Sequence, residues 1–265
     1  MPMKKIIVTI AAIAASNLVV SAQTATTVFS SDFSTGYTDG NLVGQNGWNQ
    51  TGATATVAQT VSNGVVVLPS GAAGQDTWNA FSSAVSTTNA GNYLLTTINF
   101  SLTNAANTTA DYFFHLSSPT NTTSIFFQRL YSRSAVGGFE LGINGASGAT
   151  LVAWGSTVLS LNTRYQAVIK WEFVAGATND LLSLYLDPLD PILTNNTVFA
   201  STNFTTTEPT TVAAANLRIG SASTTPGVLV DSIQVQLVPE PSTYALLALS
   251  AAGFAGYIAR RRRRR

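Results

Sequence analysis

The stretch TRYQAVIKWEFVAGATNDLLSLYLDP, residues 163–188, decides the fold. Every second residue of its first half is apolar: Tyr165, Ala167, Ile169, Trp171 and Phe173. The residues between them, such as Lys170 and Glu172, are mostly polar. A period of two is the pattern of a β-strand with one buried and one wet face. Gly, Thr, Asn and Asp follow before LLSLYL begins a second such run, so the stretch predicts two strands joined by a turn.

Similar segments recur along most of the chain, and no stretch between Gln23 and Leu237 has a helical period of useful length. The further candidate strands lie within residues 63–71, 92–104, 111–118, 123–133, 137–145, 215–223 and 228–237. Two more inward-facing rows are expected, one of Leu94, Ile98, Phe100 and Leu102, the other of Leu182, Leu184 and Leu186. Many short strands separated by turn residues predict an all-β, antiparallel β-sandwich of the jelly-roll type.

The composition excludes several classes of function. The 265 residues include no cysteine and one histidine, His115, which excludes thiolate zinc sites and multi-histidine metal sites. Eight of the 13 basic residues lie at the two ends. Residues 23–237 keep five basic and 11 acidic side chains, a formal net charge of about −6. A body of that sign is a poor partner for nucleic acid.

The N-terminal segment predicts export. Lys4 and Lys5 precede an apolar stretch over residues 6–20, and small residues follow at Ser21 and Ala22. This order is typical of a secretory signal peptide, here residues 1–22, with cleavage after Ala22. The apolar stretch is shorter than the ~20 residues that a membrane span requires, which favours cleavage over an uncleaved anchor.

The C-terminal segment, residues 238–265, predicts a membrane anchor with a fixed orientation. An uncharged run over 243–259 is expected to form a transmembrane helix, and the long side chains behind it can reach the headgroups. The terminal run is wholly basic: Arg260, Arg261, Arg262, Arg263, Arg264 and Arg265. By the positive-inside rule these arginines stay inside and act as a stop-transfer lock, so residues 23–237 are delivered outside.

The order of these parts resembles the PEP-CTERM sorting signal of Gram-negative bacteria. The motif reads Val238, Pro239, Glu240, Pro241 and Ser242 and is followed by the apolar run and the arginines. The resemblance implies secretion, anchoring in the bacterial membrane by the helix and handling near the motif by the membrane enzyme exosortase. It also implies a destination at the cell surface or in the extracellular polysaccharide matrix. The two prolines keep Glu240 extended, where a protease can reach the backbone.

The body, residues 23–237, resembles the laminin-G-like or concanavalin-like jelly-roll domains. DFSTGYTDGNLVGQNGW (32–48) is similar to that family's first strand and loop, residues 163–188 to its paired strands, and VLVDSIQVQL (228–237) to its last strand. Such sandwiches include lectins, adhesion modules and glycosidases, so the resemblance implies a fold without implying an activity. Asp231 has the parity of Ile233 and Val235 and is expected to face inward.

The motifs of the common hydrolases are absent. Glycosidases need two carboxylates aimed at one bond, but Glu140 and Glu172 stand on separate predicted strands. A serine triad would need His115, yet no G-x-S-x-G elbow is present. His115 is expected on a half-exposed strand face. The sequence therefore predicts a protein that is not an enzyme.

Candidate glycan and calcium ligands lie in segments that resemble loops. Trp48, Trp78 and Trp154 are candidate sugar platforms, or alternatively each fills an end of the sandwich. Oxygen ligands for calcium are offered by Asp32, Asp39 and Asn41, although a turn at Asp39 and Gly40 explains the same residues without metal. No cofactor is otherwise indicated.

The sequence thus predicts an exported surface or matrix protein. Its sandwich is expected to act as a structural, adhesive or glycan-binding module, with exosortase and, in addition, exopolysaccharide as partners. A calcium-assisted lectin and an unusual glycoside hydrolase remain the alternatives.

Overall fold

The computed structural model describes residues 24–51, 57–70, 74–105, 110–118, 126–146, 151–190, 193, 195–204, 208–220 and 226–239. The chain divides into two units. One is Ala25–Val238, and the other comprises Met1–Thr24 with Pro239–Arg265. Of the second unit only Thr24 and Pro239 are described, so the predicted signal peptide, transmembrane helix and arginine tail lie outside the described residues. The described part of the chain contains no helix long and apolar enough to cross a membrane.

Sixteen strands make up the described part of the body. They are β1 (Thr26–Ser31), β2 (Gly40–Asn41), β3 (Asn49–Thr51), β4 (Thr60–Ser62), β5 (Val65–Leu68), β6 (Asp76–Ser86), β7 (Tyr93–Asn104), β8 (Asp111–Ser117), β9 (Phe126–Ala135), β10 (Gly138–Ala146), β11 (Ala153–Trp154), β12 (Tyr165–Glu172), β13 (Leu181–Leu186), β14 (Ala200–Asn203), β15 (Thr211–Leu217) and β16 (Gly227–Val238). Each predicted segment corresponds to one of them. The long strand β6 and the short strands β3, β4, β11 and β14 were missed, and the strand that opens the domain, β1, precedes residues 32–48 instead of lying within them.

The strands form two antiparallel sheets. The nine-stranded sheet has the order β14-β13-β12-β7-β16-β5-β4-β2, and β1 also pairs with β16. The seven-stranded sheet has the order β11-β10-β9-β8-β15-β6-β3. The predicted all-β antiparallel sandwich is confirmed, and these strand orders are consistent with a jelly roll.

The core lies between the two sheets and is built from the predicted alternating rows. Ile169 and Trp171 of β12 are fully buried, as are Ile98 and Phe100 of the neighbouring strand β7. The row on β13 is buried at Leu182 and Leu184 and half-buried at Leu186. Side chains of the seven-stranded sheet, among them Leu116, Leu130 and Ile143, complete one continuous cluster from the other side.

Irregular positions break the alternation in several strands. The pairing of β16 with β7 shifts between Val230 and Ser232, so the buried positions change from Val228 and Val230 to Ile233 and Val235. Asp231 lies at this bulge and its side chain is 28% exposed beside Arg164, with 3.4 Å between their charged atoms. The prediction that Asp231 follows the inward parity is therefore wrong, because a bulge reverses the facing of every later residue.

Candidate functional site

Trp48 is not available to a ligand, because its ring is 1% exposed within the core. The ring packs edge-on against Phe29 at 6.1 Å and tilted against Phe33 at 5.8 Å. Its indole Nε1 donates to the hydroxyl of Tyr37 at 3.0 Å. Of the two alternatives for this residue, the buried one is correct and the sugar platform is wrong.

Trp78 and Trp154 lie in strands of the seven-stranded sheet, on the face turned away from the core. Trp78 belongs to β6, where a loop was expected, and opposes Asn216 of β15. Trp154 belongs to β11 and opposes Gly142 of β10. Both tryptophans are half-buried. We call this surface the aromatic face; it consists of Asp76, Trp78, Asp111, Tyr112, His115, Phe126, Arg129, Tyr131, Arg133, Glu140, Gly142, Asn144, Trp154, Asn216 and Arg218.

One row of the aromatic face crosses four strands at a common level. Tyr112 of β8 opposes Tyr131 of β9, Tyr131 opposes Gly142 of β10, and Gly142 opposes Trp154 of β11. Neighbouring strands are about 4.8 Å apart, so the row spans about 14 Å. The ring centroids of Tyr112 and Tyr131 are 5.3 Å apart. Gly142 leaves room for the indole, since a Cβ there would come within 2.7 Å of the ring of Trp154.

A second row crosses three strands of the same face. Asn216 of β15 opposes Trp78 on one side and His115 on the other. The amide nitrogen of Asn216 donates to Ser117 Oγ at 3.0 Å. His115 is 2% exposed and its ring lies 4.4 Å from that of Phe126. The half-exposed position predicted for His115 is wrong, because the rings of neighbouring residues cover the imidazole.

Arginine side chains lie against the rings of this face. The guanidinium carbon of Arg218 is 4.2 Å from the centroid of Tyr112, and that of Arg133 is 4.2 Å from the centroid of Trp154. Arg129 lies 5.3 Å from the centroids of both Tyr112 and Tyr131. A cation placed above the face of an aromatic ring is attracted to it, so these contacts hold the rings in place.

Acidic side chains balance these arginines. Arg218 forms an ion pair with Asp111 and lies 3.9 Å from Asp76, while Arg133 pairs with Glu140. Two of the three arginines of the aromatic face, Arg133 and Arg218, therefore meet three carboxylates, while Arg129 donates to Asn144 Oδ1 at 3.1 Å.

Burial shifts the pKa values of several groups on this face. Desolvation raises the pKa of Tyr131 to about 12, although Arg129 opposes the shift. The pKa of His115 lies well below its usual value, first because of burial and then because of Arg218 and Arg129. The imidazole is therefore neutral at physiological pH, with one nitrogen that donates and one that accepts. Desolvation raises the pKa of Asp76 to about 6, against the pull of Arg218.

The raised pKa of Asp76 predicts a pH-dependent stability. Its pKa is about 6 in the folded chain and near 3.8 otherwise, so folding favours the protonated form. That contribution is complete below about pH 4 and is lost as the pH rises through 6. As the pH rises from 4 to 7, we expect the Tm of Asp76→Asn to increase relative to that of the wild type by about 2–4 °C, after allowance for solvent screening. Thermal scans across this range test it, and a pH-independent difference would contradict it.

The carboxylates that a glycosidase would need are apart. Glu140 lies on β10 of the seven-stranded sheet and pairs with Arg133. Glu172 lies on β12 of the nine-stranded sheet and pairs with Lys170 at 2.8 Å. The structure thus does not bring these two acids together.

The candidate calcium ligands each accept hydrogen bonds from the backbone of a loop or turn. Asp32 accepts hydrogen bonds from the backbone N–H groups of Ser34 and Thr35, which lowers its pKa. Asn41 Oδ1 accepts from the backbone of Val43, and Asp39 Oδ1 accepts from that of Asn63. Within the described ranges no three His, Asp or Glu side chains are grouped as metal ligands. Calcium binding at these residues stays a prediction.

A groove of about 250 Å³ lies at one end of the sandwich and is separate from the aromatic face. Small residues line most of it, together with Glu208. Oε1 of Glu208 accepts hydrogen bonds from the backbone N–H groups of Asn179 and Asp180, at 2.5 and 2.6 Å. This carboxylate therefore holds the loop between β12 and β13 in place.

Residues 237–264 match the model of the PEP-CTERM protein-sorting motif. The chain therefore carries this sorting motif at its C-terminus, as its residues predicted. The match covers the five residues 238–242 and most of the arginine tail. No curated protein matches the chain.

Several solved structures resemble the body. The CBM2 module of the evolved Dit protein of Lactobacillus casei BL23 phage J-1 is 12% identical with a TM-score of 0.49, and the alignment covers 82% of this chain and 97% of that one. The carbohydrate recognition domain of Emp47p is 12% identical at a TM-score of 0.46, covering 83% and 98%. The alginate lyase AlgAT5 of polysaccharide lyase family 7 is 10% identical at 0.46, covering 72% and 94%. The fold assignment rests on the strand pairing described above.

Proposed function

We propose that this chain is an exported bacterial protein, sorted by an exosortase through its PEP-CTERM tail, whose sandwich binds glycans at the cell surface or in the extracellular matrix. A signal peptide at residues 1–22 delivers residues 23–237 across the inner membrane. The helix at 243–259 holds the chain until the tail is processed, and the arginines at 260–265 stay inside. The sorting motif at residues 237–264 carries the first half of this proposal.

The position of the motif supports removal of the tail. Strand β16 ends at Val238, which is 5% exposed and packs with Tyr185 and Leu193. Pro239 follows at once and is exposed. A cut near Glu240 would therefore leave β16 and its buried side chains in place.

The aromatic face supports glycan binding by the sandwich. A sugar ring offers a flat C–H surface that packs on aromatic rings, and its hydroxyls need polar partners nearby. The half-buried rings of Tyr112 and Trp154 lie about 14 Å apart along this row, and between them lies Tyr131, which is 8% exposed. Such a row suits a linear chain that lies across the strands.

The same geometry supports a function without catalysis. Glu140 is paired with an arginine, and Glu172 belongs to the other sheet. His115 is 2% exposed, and its ring nitrogens have no hydrogen-bond partner among the described residues. The sandwich therefore acts by binding.

Loss of one ring of the row is expected to weaken binding to the matrix of the host. Trp154→Ala removes an aromatic contact from a two-residue edge strand, so the fold should be kept. We expect affinity for polysaccharide extracted from the host matrix to fall about three- to tenfold, the value of one stacking contact. A co-sedimentation assay measures this.

The matched control is Tyr93→Ala, which removes a ring that carries Lys170 at 4.7 Å on the nine-stranded sheet. This variant should bind like the wild type. Equal losses in both variants, or none in either, would contradict the assignment of binding to the aromatic face.

A further inference from the structure

We infer that the aromatic face is held in place from the opposite sheet, by a buried hydrogen bond between Thr96 of β7 and Gln128 of β9. Both are positioning residues, because their side chains lie in the core, where no ligand of the face can touch them. The inference rests on the glycan-binding function proposed above and adds how the binding surface is kept in its shape.

Strand β9 carries one residue more than its partner β8 in the middle of their pairing. Phe127 opposes Leu116 and Leu130 opposes Phe114, so three steps along β9 match two along β8. Gln128 lies in this interval with a positive φ of 49°. An extra residue of this kind is a β-bulge, and it moves every later side chain of β9 to the other face of the sheet.

The aromatic face depends on this bulge. Residues two apart share a face in an unbroken strand, so Arg129 and Tyr131 would lie on the inner side with Phe127. In the structure Phe127 and Leu130 are both in the core. Arg129 lies on the outer side, where its guanidinium carbon is 5.3 Å from the ring centroid of Tyr131. The bulge therefore turns these side chains away from the core, so that they form part of a surface.

Two buried hydrogen bonds connect the bulge to the nine-stranded sheet. Oγ1 of Thr96 donates to Oε1 of Gln128 at 2.8 Å, and Nε2 of Gln128 donates to the carbonyl oxygen of Ile169 at 3.3 Å. Thr96 and Ile169 oppose each other in β7 and β12, so both bonds end on one residue pair. Gln128 and Thr96 are both 0% exposed, so the loss of either partner would leave a buried polar atom unpaired.

These bonds stabilise a backbone conformation that glutamine does not favour by itself. A positive φ suits glycine, and in other residues it persists where the surrounding structure enforces it. A fully paired polar network in a core also fixes one arrangement of the strands around it. The hydroxyl of Thr96 therefore acts on the aromatic face through the backbone of β9.

The test compares two substitutions of Thr96 with a control on the same strand. Thr96→Val removes the hydroxyl and keeps the branched shape, whereas Thr96→Ser keeps the hydroxyl. Ile98→Val shortens a fully buried side chain of β7 and leaves the bond to Gln128 intact. For each full-length variant in detergent, co-sedimentation measures the affinity for polysaccharide extracted from the host matrix, and a thermal scan measures the Tm.

We expect Thr96→Val to bind about three- to tenfold more weakly than the wild type, the value of one neutral hydrogen bond. Thr96→Ser and Ile98→Val should bind like the wild type, although each loses a buried carbon atom and should have a lower Tm. A purely structural role of Thr96 would instead make the affinity follow the Tm in all three variants.

A second measurement needs no ligand. Amide hydrogen exchange reports the local opening of a strand, and exchange in β16 reports the stability of the sandwich as a whole. Relative to β16, exchange within Phe126–Ala135 should become about three- to tenfold faster in Thr96→Val. It should be unchanged in Thr96→Ser.

The outcomes separate this inference from the function it rests on. Weaker binding in Thr96→Val alone, with faster exchange in β9, supports both. Unchanged affinity in Thr96→Val, an equal loss in Thr96→Ser, or exchange in β9 that changes only as much as in β16 overturns the inference and leaves glycan binding in place.

Loss of the cooperative unfolding transition in Thr96→Val also overturns the inference, because the bond would then hold the two sheets together instead of positioning the face. A wild-type chain that does not bind the polysaccharide overturns the proposed glycan function. Hydrogen exchange in β9 then decides by itself whether Thr96 holds the bulge.

Discussion

A chain that ends at Pro239 is expected to fold with the stability of the full chain, whereas one that ends at Val230 is expected not to fold. The second half of β16 lies between β7 and β1, and its register with β7 runs through Val238. Its loss removes Ile233, Val235 and Val238 from the interior. At about 1.5–3 kcal/mol for each buried side chain, the loss is about 5–9 kcal/mol, which is comparable with the whole stability of a typical domain.

Urea unfolding of the two truncated chains, followed by circular dichroism, measures this effect. The chain that ends at Pro239 should show one cooperative transition at the same midpoint as the full chain in detergent. A lower midpoint for that chain would mean that residues 240–265 stabilise the sandwich. A cooperative transition for the chain that ends at Val230 would mean that β16 does not have the central place assigned to it.

Trp171→Ala is expected to be the most destabilising single substitution considered for the core. The indole is fully buried and stacks on Phe204 at 4.9 Å, with Phe173 edge-on at 5.6 Å. Its Nε1 donates to Asp180 Oδ2 at 2.8 Å, and Asp180 Oδ1 accepts from the backbone of Val174. Removal of the ring costs about 3–5 kcal/mol, and the loss of the donor to Asp180 Oδ2 adds about 1–3 kcal/mol.

Denaturant midpoints at constant m-value measure the loss of stability. Two further variants separate the contribution of the hydrogen bond from that of the buried ring and provide a comparison outside the core. Trp171→Phe keeps a ring but loses the bond to Asp180, so it should cost about 1–3 kcal/mol. Trp154→Ala removes a half-buried indole from the aromatic face and should cost about 1 kcal/mol. If Trp171→Ala costs no more than Trp154→Ala, the core does not have the packing described here.

The alternation of residue types was sufficient to predict most of the fold. Runs such as residues 163–173 carry apolar side chains at every second position, so the sequence predicted both the strand and which of its side chains point into the core. Strand β6 was missed because Asp76–Ser86 contains mostly small and polar residues, with Trp78, Phe81 and Val85 its only large apolar side chains. Its place depends on pairing with β15 and β3, which lie far away in the sequence.

The candidate site was harder to predict from the sequence than the fold, because the strands that carry it are irregular. Strand β8 has two register shifts, between Tyr112 and Phe114 and between Phe114 and Leu116, and Gln128 of β9 has a positive φ of 49°. Each irregularity changes which face later residues occupy, so the neighbours Tyr112 and His115 could not be assigned by counting. For Trp48 the polar flanking residues suggested an exposed loop, but its ring is buried in the core.

The arginine-rich end of the chain and the aromatic face serve different functions in this account. The sorting motif accounts for the tail, and the tail accounts for six of the 13 basic residues in the sequence. The two features meet in one expectation, namely that the sandwich meets the glycan proposed above only after export.

The mass of the intact protein recovered from its native host tests the central claim most directly. The account predicts a mature chain that begins at Gln23 and ends near Glu240, found in the extracellular or surface fraction. Such a mass would show that the signal peptide and the arginine tail are sorting devices that the mature protein has lost. A chain that still carries Met1, or one that keeps Arg265 in the membrane fraction, would contradict export with processing.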